Sequence, residues 1–296
     1  LGTNPHSFEP SARNVVALSD ADVVFIVGLN FEENLLAVVE EAAGHVRTVS
    51  ACVPVRPVVQ GVVQHDHGDD DAHDAEHHMH DHDADTHACE THHATVEAAF
   101  GLDHVDEDGT LGLAAEGACA KGCDPHIWTD PANAALWALA IRDTLSERDP
   151  ANADAYAANA AAYLDELAAL HRDISAQIDT IAPDKRVIVT NHLALNYFAA
   201  RYGLALAGVV IPGGSTSAEP SVREVLALID AIKDAGVPAI FTETTVSDSL
   251  ARQVADESGA QMVRLYTGSL SEADGPAATY LDYMRYNTAQ IVTALQ

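Results

Sequence analysis

Residues 151–192 read ANADAYAANAAAYLDELAALHRDISAQIDTIAPDKRVIVTNH, and the change of period inside this stretch decides the fold. From Ala151 to Ile181 no Gly or Pro interrupts the chain, and Tyr156, Tyr163, Leu164, Leu167, Leu170, Ile174 and Ile178 recur at helical spacing. At 1.5 Å per residue such a helix is about 45 Å long, enough to cross a two-lobed molecule. A coiled coil is the alternative, but the pattern lasts only about four heptads and lacks paired partners. Ala182-Pro183-Asp184 stops the helix, and Arg186–Thr190 begins a short apolar strand.

Strand and helix alternate from there to the C-terminus. The expected order is helix Leu195–Tyr202, strand Leu206–Ile211, helix Pro220–Ala235 closed by Gly236 and strand Ala239–Thr242. Helix Ser247–Ser258 closed by Gly259, strand Gln261–Leu265 and helix Tyr280–Leu295 complete it. Such alternation means a parallel sheet flanked by helices. Before the long helix the same grammar returns. A helical pattern covers Ser11–Leu18, and Ala21–Val27 (ADVVFIV), apolar apart from Asp22, reads as a buried strand. Asn30 is read as the N-cap of a helix reaching Ala43, Val46–Val53 as a second strand, and Asp130-Pro131 as the start of a helix to about Glu147. The fold class is therefore α/β, with two lobes of parallel sheet joined by one long rigid helix. The boundaries are 1–150 for the first lobe, 151–181 for the link and 182–296 for the second lobe.

Between the strands of the first lobe and its last helix the composition changes. Residues 64–93 read QHDHGDDDAHDAEHHMHDHDADTHACETHH and hold ten of the sixteen histidines. This stretch has too little apolar surface to offset its ordering entropy, so it is expected to be disordered without metal. An acidic linker would not choose histidine. Imidazole and carboxylate alternating on a flexible chain suit weak, exchangeable binding of a borderline cation. Residues 94–123 are expected to stay irregular.

The chain carries 45 Asp plus Glu against 15 Lys plus Arg, a formal net charge of -30. That balance repels nucleic acid and anionic lipid and draws in cations. It also serves solubility. No apolar run reaches the length of a membrane span, and the chain opens on Leu1 without a signal peptide, as a processed or truncated form would. The even count of cysteines, Cys52, Cys89, Cys119 and Cys123, fits an oxidising compartment, and three pairings are open. A zinc knot of Cys119, Cys123 and His126 is a competing use of two of them, weakened by the absence of a second ligand pair.

Three histidines lie where a chain turns into a following element: His6 in Asn4-Pro5-His6-Ser7-Phe8-Glu9-Pro10, His126 in Asp124-Pro125-His126-Ile127-Trp128, and His192 in Val189-Thr190-Asn191-His192. In open α/β sheets ligands bind beyond the carboxyl ends of strands. Two of these rings belong to the first lobe and one to the second, so an ion held by all three would lie between the lobes.

The chain resembles the cluster A-I solute-binding proteins of metal ABC importers, the zinc-uptake, adhesin-like lipoproteins. The resemblance rests on NPHSFEP, DPHIWTDP and TNHLALNYFAARYGL as first, second and third ligand motifs. ADVVFIVGLNFEENL, FTETTVSDSLARQVADESGA and YLDYMRYN match other parts of the pattern, and a His-Asp-rich insert is typical of its zinc members. It covers the chain outside residues 53–123. It implies capture of Zn2+ outside the cytoplasm, in the periplasm or as a tethered extracellular lipoprotein. The ion would pass to a membrane permease with its cytoplasmic ATPase, and a periplasmic zinc chaperone is a further partner. The protein is expected to be a monomer and not an enzyme. Manganese members carry a carboxylate where this chain has His192, and three neutral imidazoles suit zinc better. The pattern's usual fourth ligand, an Asp, is replaced here by Gly268. That leaves water, Glu243, Glu272 or Asp274 for the fourth position, with Glu243 equally suited to support a ligand from behind. The resemblance also implies a β-α-β unit ahead of His6, so the first lobe is expected to lack its central strand. Because ligand histidines must be neutral, affinity is expected to fall as pH drops through about 6.5. Two rival functions are a zinc hydrolase or hydratase built on three histidines, and a soluble zinc buffer or chaperone whose working part is the insert.

Overall fold

The computed structural model describes residues 2–32, 35–56, 58, 83–102, 122–213, 216 and 219–296. The expected disorder of residues 64–82 and irregularity of 103–121 lie outside the described residues.

In the first lobe, α1 (Ala12–Asp20) starts from a reciprocal cap between Ser11 and Asn14. It leads to β1 (Val24–Ile26), then α2 (Leu36–Ala42) and β2 (Val46–Thr48), with β1 and β2 parallel. The strands are shorter than the apolar runs suggest. Asn30 does not cap a helix: Leu29 and Asn30 both have positive φ, at 55° and 62°, and belong to a turn. Glu32 holds that turn, its carboxylate accepting from the backbone N–H of Val27 (2.6 Å) and Gly28 (3.0 Å).

The second difference concerns the end of the insert. Residues Asp83–Phe100 form a helix, α3, in place of the disorder to 93 and the irregular chain beyond it that composition predicts. Local composition argued against this helix, and tertiary contacts supply what composition lacks. Cys89 of α3 is bonded to Cys52. His92, buried, meets Asp143 at 2.6 Å, and Val96 and Phe100 enter the core. Cys123 is also disulfide-bonded, so it offers no thiolate, and the zinc knot is excluded.

After α3 come α4 (Pro131–Arg148) and α5 (Ala153–Ile178), the long helix. Leu164, Leu167, Leu170, Ile174 and Ile178 form its buried stripe. They pack in one core with Leu136 and Leu139 of α4, with Val96 and Phe100 of α3, and with side chains of the second lobe. The stripe is thus a domain core rather than a coiled-coil seam, each such side chain contributing about 1.5–3 kcal/mol of burial.

The second lobe contains β3 (Val187–Thr190), α6 (Asn196–Tyr202), β4 (Ala205–Val209), α7 (Val222–Ala235), β5 (Ala239–Glu243), α8 (Ser249–Ser258), β6 (Gln261–Leu265) and α9 (Tyr280–Leu295). Its four strands are all parallel, in the order β4-β3-β5-β6. Alternation along the strands divides the side chains between two faces. Ile188 and Phe241 join the core of α5 and α9, while Val189 and Ile240 pack against Leu228 and Ile232 of α7 and Val254 of α8. α7 shows how local chemistry sets an element's ends. Ser221 and Glu224 form its capping box, and Gly236 takes the left-handed conformation (φ 61°) that stops it. Among the described residues no helix is long and apolar enough to cross a membrane.

Candidate metal centre

Each of the three histidines is placed by a different local device. His6 lies in a 3-10 turn, Pro5–Ser7, whose Asn4 side chain accepts from the His6 N–H at 3.1 Å. His126 precedes the 3-10 turn Ile127–Thr129, and Asp124 grips it twice. The Oδ1 atom accepts from the His126 backbone N–H at 3.0 Å and from Nδ1 at 2.7 Å. His192 follows β3 at the carboxyl end of the sheet, and its Nδ1 is hydrogen-bonded to Glu243, the last residue of β5. Glu243 is held in turn by the Thr267 hydroxyl, which donates to Oε2 at 2.9 Å.

The structure brings all three rings together. His126 Nε2 lies 3.0 Å from His6 Nε2 and 3.0 Å from His192 Nε2. One ligand atom from each residue falls within 4.8 Å of the others. His6, His126 and His192 retain 5%, 1% and 2% exposure. Phe31 and Trp128 wall the site, with ring centres 5.4 Å from His6 and 5.3 Å from His126.

The protonation pattern follows from the partners. Ionised carboxylates only accept, so Asp124 and Glu243 fix the protons of His126 and His192 on Nδ1. The Nε2 atoms of these two rings then present lone pairs, yet they face each other at 3.0 Å. Two unprotonated nitrogens at that distance repel unless a cation sits between them. Around a tetrahedral zinc with bonds of 2.0–2.1 Å, ligand nitrogens are about 3.3 Å apart. The two contacts of His126, each 3.0 Å, need to lengthen by only a few tenths of an ångström to match that spacing. Two buried carboxylates stand behind these rings, an arrangement that favours a divalent cation in front of them. His6 is held neutral. Burial, and then the facing His126 and His192, push its pKa from 6.5 to about 3. Proton competition at His6 therefore sets in well below the pH of about 6.5 expected from an ordinary imidazole.

The candidate fourth ligands divide differently from expectation. Glu243 is committed to His192 and Thr267 and so backs the site from behind. Glu272 and Asp274 are exposed. Among the described residues no fourth His, Cys, Asp or Glu joins the cluster. Gly268 cannot carry a side chain without displacing Pro5, because a Cβ there would stand 2.8 Å from the proline Cδ. Sequence reasoning named the three rings but assigned no role to Asp124, Phe31, Trp128 or Thr267. Only Asp124 left a signal: an Asp two residues before a His commonly folds back on its backbone.

Residues 1–294 match the family model of zinc-uptake complex component A, periplasmic. A manganese-binding lipoprotein, MntA of Halalkalibacterium halodurans, is 29% identical over 296 residues, covering 100% of this chain and 79% of its own length. An iron-binding protein, YfeA of Yersinia pestis, is 35% identical over 167 residues, 56% of this chain and 53% of its own length. The solved structure of the periplasmic zinc-binding protein TroA from Treponema pallidum shares the fold. Its TM-score is 0.72 at 21% identity, over 99% of this chain and 88% of that chain.

Proposed function

The chain belongs to the family of periplasmic zinc-uptake complex component A, and on that footing we propose that His6, His126 and His192 capture Zn2+ for delivery to a membrane permease. Members of the family are metal-binding proteins of ABC importers, which work with a permease and an ATPase and are not enzymes. The hydrolase alternative falls with that. The relatives are named for manganese, iron and zinc, so the choice of zinc rests on this chain's own donors. An all-imidazole set suits zinc, whereas manganese favours oxygen.

One observation carries the reading: His126 and His192 meet at 3.0 Å through nitrogens whose protons are held on the opposite side of each ring. In the proposed cycle the ion enters between the two ligand-bearing lobes, residues 1–150 and 182–296, and exchanges its water for three imidazoles. The insert gathers Zn2+ at the surface, in the periplasm or at a tethered extracellular position, and a zinc chaperone supplies it.

Calorimetry with Zn2+ and Mn2+ in competition with a chelator tests the site. The intact protein should show one tight Zn2+ site and a much weaker preference for Mn2+, and His126→Ala should abolish the tight site. Equal affinity in His126→Ala and the parent would reject the three-histidine centre. Removing residues 64–82 separates capture from buffering, because a capture protein keeps its tight site while a buffer loses most of its capacity. The deletion should stop at 82, since Cys89 and His92 anchor α3 to the lobe.

A further inference from the structure

Two loops from opposite lobes meet in front of the imidazoles. One is residues 2–8, which carries His6. The other is residues 267–270, which begins with the threonine that holds Glu243. Three contacts fasten the first loop to the second lobe. The Gly2 N–H donates to Ser269 Oγ at 2.8 Å, Asn4 Nδ2 donates to Thr216 Oγ1 at 2.9 Å, and the Pro5 ring packs on Gly268.

The last contact depends on a missing side chain. Gly268 is not among the glycines with positive φ, so its backbone conformation suits any residue. Space is what demands glycine. A Cβ at 268 would lie 2.8 Å from Pro5 Cδ and 2.9 Å from Pro5 Cγ, closer than real contacts allow. A proline ring cannot swing aside as a long side chain can. Pro5 is bonded to His6 and opens the 3-10 turn that aims it. Any displacement of the ring therefore shifts His6 relative to His126, 3.0 Å off.

We infer that Gly268 is a positioning residue for metal capture: its bare backbone is the seat on which Pro5 brings His6, from the first lobe, up to His126 and His192. The inference rests on the three-histidine reading and extends it to what determines how closely the lobes' ligands approach. The bare seat also adds no oxygen donor of its own, so closing these loops leaves the ligand set purely imidazole.

The test is a double-mutant cycle read by Zn2+ affinity in chelator competition, with circular dichroism of each metal-free variant as a check on folding. Gly268→Ala should weaken Zn2+ binding by roughly tenfold or more. Pro5→Ala removes both Cγ and Cδ, the atoms a new Cβ would strike, and leaves room for it. In the Pro5→Ala background, Gly268→Ala should therefore cost nothing further, the non-additivity expected of residues in contact. In a His6→Ala background it should also add nothing. Wild-type affinity in Gly268→Ala overturns the inference, as does a loss that adds in full to those of Pro5→Ala and His6→Ala. If Gly268→Ala alone does not fold, the Pro5→Ala and Pro5→Ala/Gly268→Ala pair still decides, because unequal affinities refute the seat. Failure of the parent reading looks different: His126→Ala would then bind Zn2+ like the intact protein, refuting both.

Discussion

Glu243 offers a direct measure of how far the proposed metal centre depends on groups placed behind its ligands. It is 3% exposed, accepts from His192 Nδ1 through one oxygen and from the Thr267 hydroxyl through the other, and so fixes both the tautomer and the orientation of His192. Glu243→Gln keeps the shape. Its carbonyl oxygen can still accept from Nδ1–H, and its amide can donate to Thr267, but the negative charge is gone. Glu243→Ala removes shape and charge and leaves the His192 Nδ1–H and the Thr267 hydroxyl buried without a partner. Loss of such support costs metal affinity about 10–100-fold. The glutamine variant should lie near the lower limit and the alanine variant near the upper. Each stranded polar group also costs about 1–3 kcal/mol, so metal-free Glu243→Ala should be less stable by several kcal/mol, with Glu243→Gln much less affected. Chelator-competition titration with Zn2+ gives the affinities, and denaturant unfolding of the metal-free proteins gives the stabilities. Wild-type affinity in both variants would show that His192 needs no carboxylate behind it, and the tautomer reasoning would fail with it.

Acid should act on the metal-free protein through His6. Its folded pKa is about 3 against 6.5 for an ordinary imidazole. Over that window the unfolded chain binds the extra proton, so stability is complete above about 6.5 and declines as pH falls toward 3. The loss reaches the order of 4 kcal/mol. Denaturant midpoints from pH 7 to 4 should show this slope shrink in His6→Gln, and an unchanged slope would contradict it. The Cys52–Cys89 bond closes a sequence separation of 37 across the insert. Replacing both residues by alanine should lower stability by about 3–4 kcal/mol through unfolded-chain entropy and expose α3 to protease, as limited proteolysis would record.

Much of this protein is legible from local pattern. The uninterrupted helical stripe of α5, the βα alternation after Pro183 and the caps of α4 and α7 are each set within a few residues, so periodicity and capping chemistry reach them. The three histidines could be singled out by their place at element junctions and by resemblance. That they meet is another matter. His6 and His126 are 120 residues apart in sequence, and His192 lies 66 beyond His126, so only the packing of two lobes around one shared core closes those gaps. Tertiary contacts likewise decided α3, whose polar composition argued against a helix until Cys52 and Asp143 held it. They placed Glu243 behind His192, and they set a proline ring from the far end of the chain against Gly268. Patterns of period two or 3.6 record which face of an element is buried. They carry no record of which distant atom that face will meet, because the meeting is settled by packing volume and by unpaired polar groups finding partners once the chain has folded.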